Sequence, residues 1–210
     1  MDYITVKENY ESEIEIKKSI FIGHIFRADT VEQAESYLEQ VRKKHYKATH
    51  NCYAYIIGEK KEYQKASDDG EPAKTAGRPI LNVIEQNDIT NVLIVVTRYF
   101  GGVKLGAGGL IRAYSASASD VLNKTDLIKK EETIKINLTY DYNLHGKIED
   151  YLRKSGYTLE TPVFLDKVTY LAYVNTVDKE KFKDDLIALT NAKIEIEEQG
   201  LSYIDKIMKR

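Results

Sequence analysis

Val92-Leu-Ile-Val-Val-Thr-Arg-Tyr-Phe-Gly-Gly-Val-Lys-Leu-Gly-Ala-Gly-Gly-Leu-Ile-Arg-Ala-Tyr114 changes backbone character twice. Val92–Val96 is a continuous apolar, mostly β-branched run, the pattern of a central strand. A glycine cluster follows, and from Leu105 to Leu122 the spacing and the small residues predict a helix. Strand, glycine turn and helix thus follow one another in that order. Residues 97–114 hold five of the twelve glycines, three basic side chains (Arg98, Lys104, Arg112) and no acid. Glycine is kept where backbone bends sharply or passes close to something. Exposed N–H groups, fixed cations and flanking aromatics suit a phosphate; a tight turn packed on a neighbouring element accounts for the same residues.

Composition narrows the classes. The chain has 210 residues, 42% hydrophobic and 30% charged, which is ordinary for a globular protein of one large or two modest domains. No apolar stretch reaches the ~18 residues of a membrane span. The first residues, Met-Asp-Tyr-Ile-Thr-Val-Lys-Glu, lack the pattern of a secretory signal. One cysteine, Cys52, makes no internal disulfide, so a reducing cytoplasm is the expected location. A net charge of −2 excludes nucleic-acid binding by bulk electrostatics and leaves only a local patch.

Outward from the glycine run, alternation at Glu13–Ile16 and Ile20–Phe26 predicts two strands around Lys17-Lys18. Thr30-Val-Glu-Gln33 is a capping-box pattern and opens a helix to about Lys44. Asn51–Ile57 reads as a buried strand, residues 58–79 as one long polar loop, and Ile80–Glu85 as a short helix. The polar segment Asn123–Glu132 is the expected boundary between domains 1–128 and 129–210. Beyond it the pattern predicts strand 133–140, helix 143–154, strands 157–164 and 167–174, helix 178–190 and strand 193–199. That βαββαβ order is the ferredoxin-like pattern.

Within the long loop, Asp68, Asp69 and Glu71 place three carboxylates beside Lys74, Thr75 and Arg78. Oxygen ligands in that density fit magnesium, yet the spacing is not that of an EF-hand. The competing reading is a rigid docking turn built on Gly70, Pro72, Gly77 and Pro79. His45, His50 and Cys52 lack a fourth ligand and a Cys-x-x-Cys pair, which argues against zinc. Cys52 as a nucleophile paired with His50 is disfavoured by its apolar flank. The glycine run is neither a Walker loop nor a dinucleotide fingerprint.

Three strings carry a resemblance: Ala48-Thr-His-Asn-Cys-Tyr-Ala-Tyr55, the loop Asp69-Gly-Glu-Pro-x-x-Thr-Ala-Gly-x-Pro79, and Arg98-Tyr-Phe-Gly-Gly-x-Lys-Leu-Gly-x-Gly-Gly-Leu110. Over residues 1–125 the chain resembles the IMPACT/YigZ family, and its bacterial members of the YigZ or YvyE type in particular. The resemblance implies an α+β protein. Its N-terminal part would be an α/β sandwich like domain two of ribosomal protein S five. Its C-terminal part would be a ferredoxin-like module similar to domain five of elongation factor G. Eukaryotic relatives restrain a starvation-responsive kinase of translation, and bacterial ones are inferred to bind RNA or ribosomes.

The expected function is therefore translation regulation, linked to the stress response, through RNA, the ribosome or a translation-associated protein. No catalytic residue, cofactor, metal or membrane partner is expected. The expected surface comprises Arg98, Tyr99, Phe100, Gly101, Gly102, Lys104, Gly106, Gly108, Gly109 and Arg112, bordered by residues 68–79. Three phosphate contacts from Arg98, Lys104 and Arg112 predict a log–log salt slope of about −2 to −3. The alternative is an enzyme or ligand-binding protein for a phosphorylated or anionic metabolite, with the glycines holding phosphate and the acidic loop holding magnesium.

Overall fold

The computed structural model describes residues 1–208. They form two compact units, Asp2–Lys129 and Lys130–Lys206. The first contains β1 (Tyr3–Val6), β2 (Tyr10–Ile16), β3 (Ser19–Arg27), α1 (Val31–Lys44), β4 (His50–Ile57), β5 (Tyr63–Ser67), α2 (Gly77–Gln86), β6 (Val92–Tyr99) and α3 (Ala107–Lys124).

Strands β2, β3, β6, β4 and β5 make one sheet in that order, each pair antiparallel. β6 lies in the middle. Its Val92, Ile94 and Val96 pack with α2 and α3, while Leu93 and Val95 pack with α1 on the opposite face. Helices on both faces are the reason this strand reads as an unbroken apolar run. The β2–β3 hairpin turns through Lys17 and Lys18 at φ 49° and 66°, the two left-handed residues of a type I′ turn. α1 starts as its sequence demands: Thr30 Oγ1 accepts from Gln33 N–H at 3.2 Å, and Gln33 Oε1 accepts from Asp29 N–H at 2.8 Å.

One expectation for this unit needs correction. Residues 58–79 are not one loop, because Tyr63–Ser67 pairs with β4 as an edge strand and α2 begins at Gly77. The polar segment Asn123–Glu132, within which the two units divide, carries regular structure. α3 runs to Lys124 and β7 (Leu127–Tyr140) occupies the rest, its charges finding partners in Lys129–Asp2 at 2.8 Å and Lys206–Glu131 at 2.6 Å.

The second unit continues β7 with α4 (His145–Ser155), β8 (Thr158–Leu159), β9 (Val163–Phe164), β10 (Val168–Asn175), α5 (Lys179–Thr190) and β11 (Glu195–Ile207). β10 lies antiparallel between β7 on one side and β8 and β9 on the other, and β11 pairs with β7. This is the ferredoxin-like arrangement. β10 alternates buried and half-buried residues along its length. Its Val168, Tyr170, Ala172 and Val174 meet Ile148 and Leu152 of α4 and Phe182 and Leu186 of α5, the signature of a sheet covered on one face only. The single strand expected at 157–164 is two short pieces, with Pro162, which has no N–H to give a ladder, between them.

Candidate functional site

The three sequence strings meet in the first unit at one cavity of ≈ 350 Å³. Thr49 and His50 from the start of β4 line it, with Glu71 and Pro72 from the loop before α2. Arg98 and Phe100 at the end of β6, and Lys104 to Ala107 with Leu110 at the start of α3, complete the wall.

The loop 68–76 is held from within by its acids. Asp68 Oδ1 accepts from the N–H groups of Ala76 (3.0 Å) and Gly77 (2.8 Å), and Oδ2 from that of Lys74 (2.8 Å). Its carboxylate thereby caps α2 from nine residues upstream. Burial alone would raise its pKa, but the three backbone donors prevail and hold it below the usual carboxylate range. Asp69 Oδ2 accepts from Asn51 N–H at 2.7 Å, and its carbonyl accepts from His50 Nδ1–H at 2.7 Å. Glu71 Oε1 accepts from Arg98 Nη1 at 2.6 Å and from the Tyr114 hydroxyl at 2.8 Å. The three carboxylates therefore serve three different sets of donors and do not gather around a magnesium ion; that part of the metabolite reading is corrected.

Arg98 differs from its expected role as well. It is 5% exposed, its Nη2 reaches Ser19 Oγ at 3.4 Å, and its guanidinium lies over the rings of Phe21 and Phe100 at 5.5 Å each. A strand residue pointing into the layer beneath α3, it meets Glu71 instead of solvent. Tyr99, its neighbour, points to the other face of β6, where its hydroxyl bonds His45 Nδ1 at 3.0 Å. Phe100 and Lys104 stay exposed at the cavity. Arg112 is exposed on α3 outside the lining, its Nη1 above Gly108. Arg78 turns away, bonding Glu85 along α2 at 2.9 Å.

The glycines divide by cause. Gly101 runs against the Lys18 carbonyl, and a Cβ on Gly77 would sit 2.6 Å from Ser67 backbone, so both positions demand close approach. Gly102 and Gly106 have open space but left-handed φ of 82° and 71°. Gly106 is the N-cap of α3, so this 18-residue helix starts with no capping side chain and no acid in its first turn. The first helical bond runs from Leu110 N–H to the Gly106 carbonyl at 2.9 Å. The N–H groups of Ala107, Gly108 and Gly109 thus lack helical partners and carry the positive end of the helix dipole at the cavity wall.

His50 holds its Nδ1 proton on the Asp69 carbonyl and directs Nε2 at Glu71 Oε1, 3.8 Å away. Cys52 lies on the same face of β4 but is fully buried and donates to the Asp68 carbonyl at 3.0 Å. Burial pushes its thiol up to about 12, so it holds no thiolate at neutral pH. Burial, then the neighbouring Cys52 and Glu71, likewise raises the Tyr114 phenol, which stays protonated as a donor to Glu71. Sequence spacing missed Glu71–Arg98–Tyr114 as a unit; only the shared register of strand and loop brings them together. It also missed His24, which stands with His45 and Glu11 and not with His50.

Fold and site together define a two-domain protein of mixed helix and sheet with a largely apolar, helix-fronted cavity, edged by Lys104, in its first domain. Residues 17–122 match the Impact N-terminal domain model, and residues 138–193 match a domain of unknown function, DUF1949. The chain is 44% identical over 204 residues to IMPACT family member YvyE of Bacillus subtilis (strain 168), covering 97% of this chain and 94% of that protein. It is 38% identical over 140 residues to IMPACT family member YigZ of Escherichia coli (strain K12), covering 66% of this chain and 69% of that one. A crystal structure described only as that of an hypothetical protein aligns at TM-score 0.62 with 28% identity, over 93% of this chain and 96% of the other. The chain belongs to the IMPACT family. Among the described residues no helix is long and apolar enough to cross a membrane.

Proposed function

We propose that the protein is a non-enzymatic regulator of translation that holds the backbone of single-stranded RNA, as the ribosome presents it, at the first-domain cavity. The observation that supports this most is the convergence of all three sequence strings on the uncapped start of α3. Unpartnered N–H groups and Lys104 suit a phosphate, and the exposed Phe100 face suits a base. The role in translation is what the resemblance to eukaryotic relatives implies, and the cavity supplies an RNA-facing surface for it.

Burial of Arg98 reduces the phosphate contacts to Lys104, Arg112 and the helix start. Two side-chain cations on single-stranded RNA give a log–log salt slope of about −1.4. Filter binding with ribosomes and unstructured RNA at low salt tests this. Lys104→Ala with Arg112→Ala should flatten the slope and weaken binding while leaving the fold intact. Absence of RNA and ribosome binding in the unmodified protein, or binding indifferent to both substitutions, overturns it.

A second reading keeps the same cavity for a small phosphorylated metabolite. Its volume of ≈ 350 Å³ favours it, being within the range of small-molecule sites. Thermal-shift screening with nucleotides and sugar phosphates separates the two, since a melting shift without RNA affinity supports only this one.

A further inference from the structure

On the face of the sheet under α1, three side chains from three elements point at one spot. Glu11 on β2 pairs directly across the ladder with His24 on β3, and His24 Nδ1 lies 3.0 Å from Glu11 Oε2. His45, at the C-terminal end of α1, brings its ring to a centroid distance of 5.0 Å from that of His24. One ligand atom from each of the three lies within 4.8 Å of the others.

Hydrogen bonding orients both rings. Thr97 Oγ1 donates to Asn51 Oδ1 at 2.7 Å, which leaves the hydroxyl to accept from His24 Nε2–H at 3.3 Å. The His24 Nδ1 lone pair then faces a carboxylate oxygen, an arrangement that asks for a cation between them. His45 Nδ1 is bonded to the Tyr99 hydroxyl at 3.0 Å, and its Nε2 is buried without a hydrogen-bond partner. His45 is itself 8% exposed, so this nitrogen has no water to turn to. Thr97 and Tyr99 are two residues apart on β6 and so share a face. Each ring thus has its far nitrogen held by a hydroxyl of one strand, the outer-shell arrangement that fixes metal-binding histidines.

We propose that Glu11, His24 and His45 form a site for a divalent transition-metal ion of the zinc class. His24 Nδ1, His45 Nε2 and the Glu11 carboxylate are its ligands, and a fourth position is open to water. Two imidazoles and a carboxylate are a donor set such ions prefer over calcium or magnesium. Tetrahedral bonds of about 2.0–2.1 Å place ligand atoms about 3.3 Å apart; Glu11 and His24 already stand at 3.0 Å, and with all three atoms within 4.8 Å the remaining closure is between His45 and that pair. Glu11, whose side chain is 46% exposed, is free to follow the ion as it settles between the rings. Lys44 Nζ, 2.5 Å from the same carboxylate oxygen, is the cation there now; at 58% side-chain exposure it withdraws into solvent when a metal enters.

The full chain, stripped with a chelator, is titrated with Co²⁺ and then Zn²⁺, following visible cobalt absorption, calorimetry and melting temperature. One ion per chain, a tetrahedral-type cobalt band bleached by zinc and a raised melting temperature are expected. His45→Gln should abolish the band, Tyr99→Phe should weaken binding about 10–100-fold, and His145→Gln in the second unit should change nothing. Glu11→Gln, at an exposed strand position, repeats the test where His45→Gln impairs folding. No band and no heat from the native chain overturns the site, as does binding that survives both His45→Gln and Glu11→Gln.

Discussion

Glu71→Ala is the substitution that most directly tests how the site is held. Glu71 is 9% exposed and Arg98 5%, and the bond between them is 2.6 Å. Removing the carboxylate strands a guanidinium whose Nε is already buried without a partner, and it also frees the Tyr114 hydroxyl. Breaking a buried pair from one side costs about 3–5 kcal/mol. The lost Tyr114 bond pushes the figure to the upper half of that range. A loss of about 4 kcal/mol lowers the melting temperature of a unit this size by about 10–20 °C. Urea unfolding of Glu71→Ala, Arg98→Met and the pair of substitutions together measures it. The combined variant should lose less than Glu71→Ala alone, because no unpaired charge remains buried. A loss below about 1 kcal/mol for Glu71→Ala, the range of exposed pairs, refutes the reasoning.

Gly101→Ala forces a methyl into the Lys18 carbonyl and should cost more than the ~1 kcal/mol expected for Gly102→Ala, where only a left-handed φ is at stake; paired denaturation curves decide it. Asp68→Asn removes a charged acceptor from three N–H groups and should lose about 1–2 kcal/mol. The sign of its pH dependence follows from a folded pKa below the unfolded one. The Asp68 contribution is complete above the unfolded carboxyl value and disappears as pH falls through the folded value, so the gap between native and Asp68→Asn should close in acid titrations of stability. Cys52, buried and with its thiol near 12, should resist a thiol reagent in the native protein at pH 8 and react at once in urea.

Most of the fold was legible because burial leaves a period. α1 carried its cap in Thr30 and Gln33, and β6 carried an unbroken apolar run because both its faces are covered. β5 was missed because Tyr63–Lys65 are exposed at a sheet edge, so no alternation marks them. The first half of β7 was missed because its charged residues are neutralised by partners distant in sequence. At the site, residue types were legible and their directions were not. Arg98 reads as a surface cation within a basic glycine run, yet strand parity turns it inward to a glutamate 27 residues away. Glu11, His24 and His45 meet only through ladder register and helix length, which no local spacing encodes.

That inward turn divides the motif residues by task. Asp68 and Arg98 spend their charges on backbone N–H groups and on Glu71, and Gly77 and Gly101 allow backbones to touch. These residues make the cavity, and their charges are engaged within the protein even though Arg98 Nε itself has no partner. Lys104, Phe100, the uncapped α3 start and His50 Nε2 are the groups left with capacity to spare. A loop held by buried charge is rigid, so its ligand meets a preformed surface and loses little to ordering. Substitutions in the two sets should therefore separate: the first lowers stability and carries binding down with it, while the second changes affinity at constant melting temperature. A motif residue that moved both independently would mean that frame and contact surface are not distinct, and the assignment of Lys104 and Phe100 as the ligand-facing pair would fall with it.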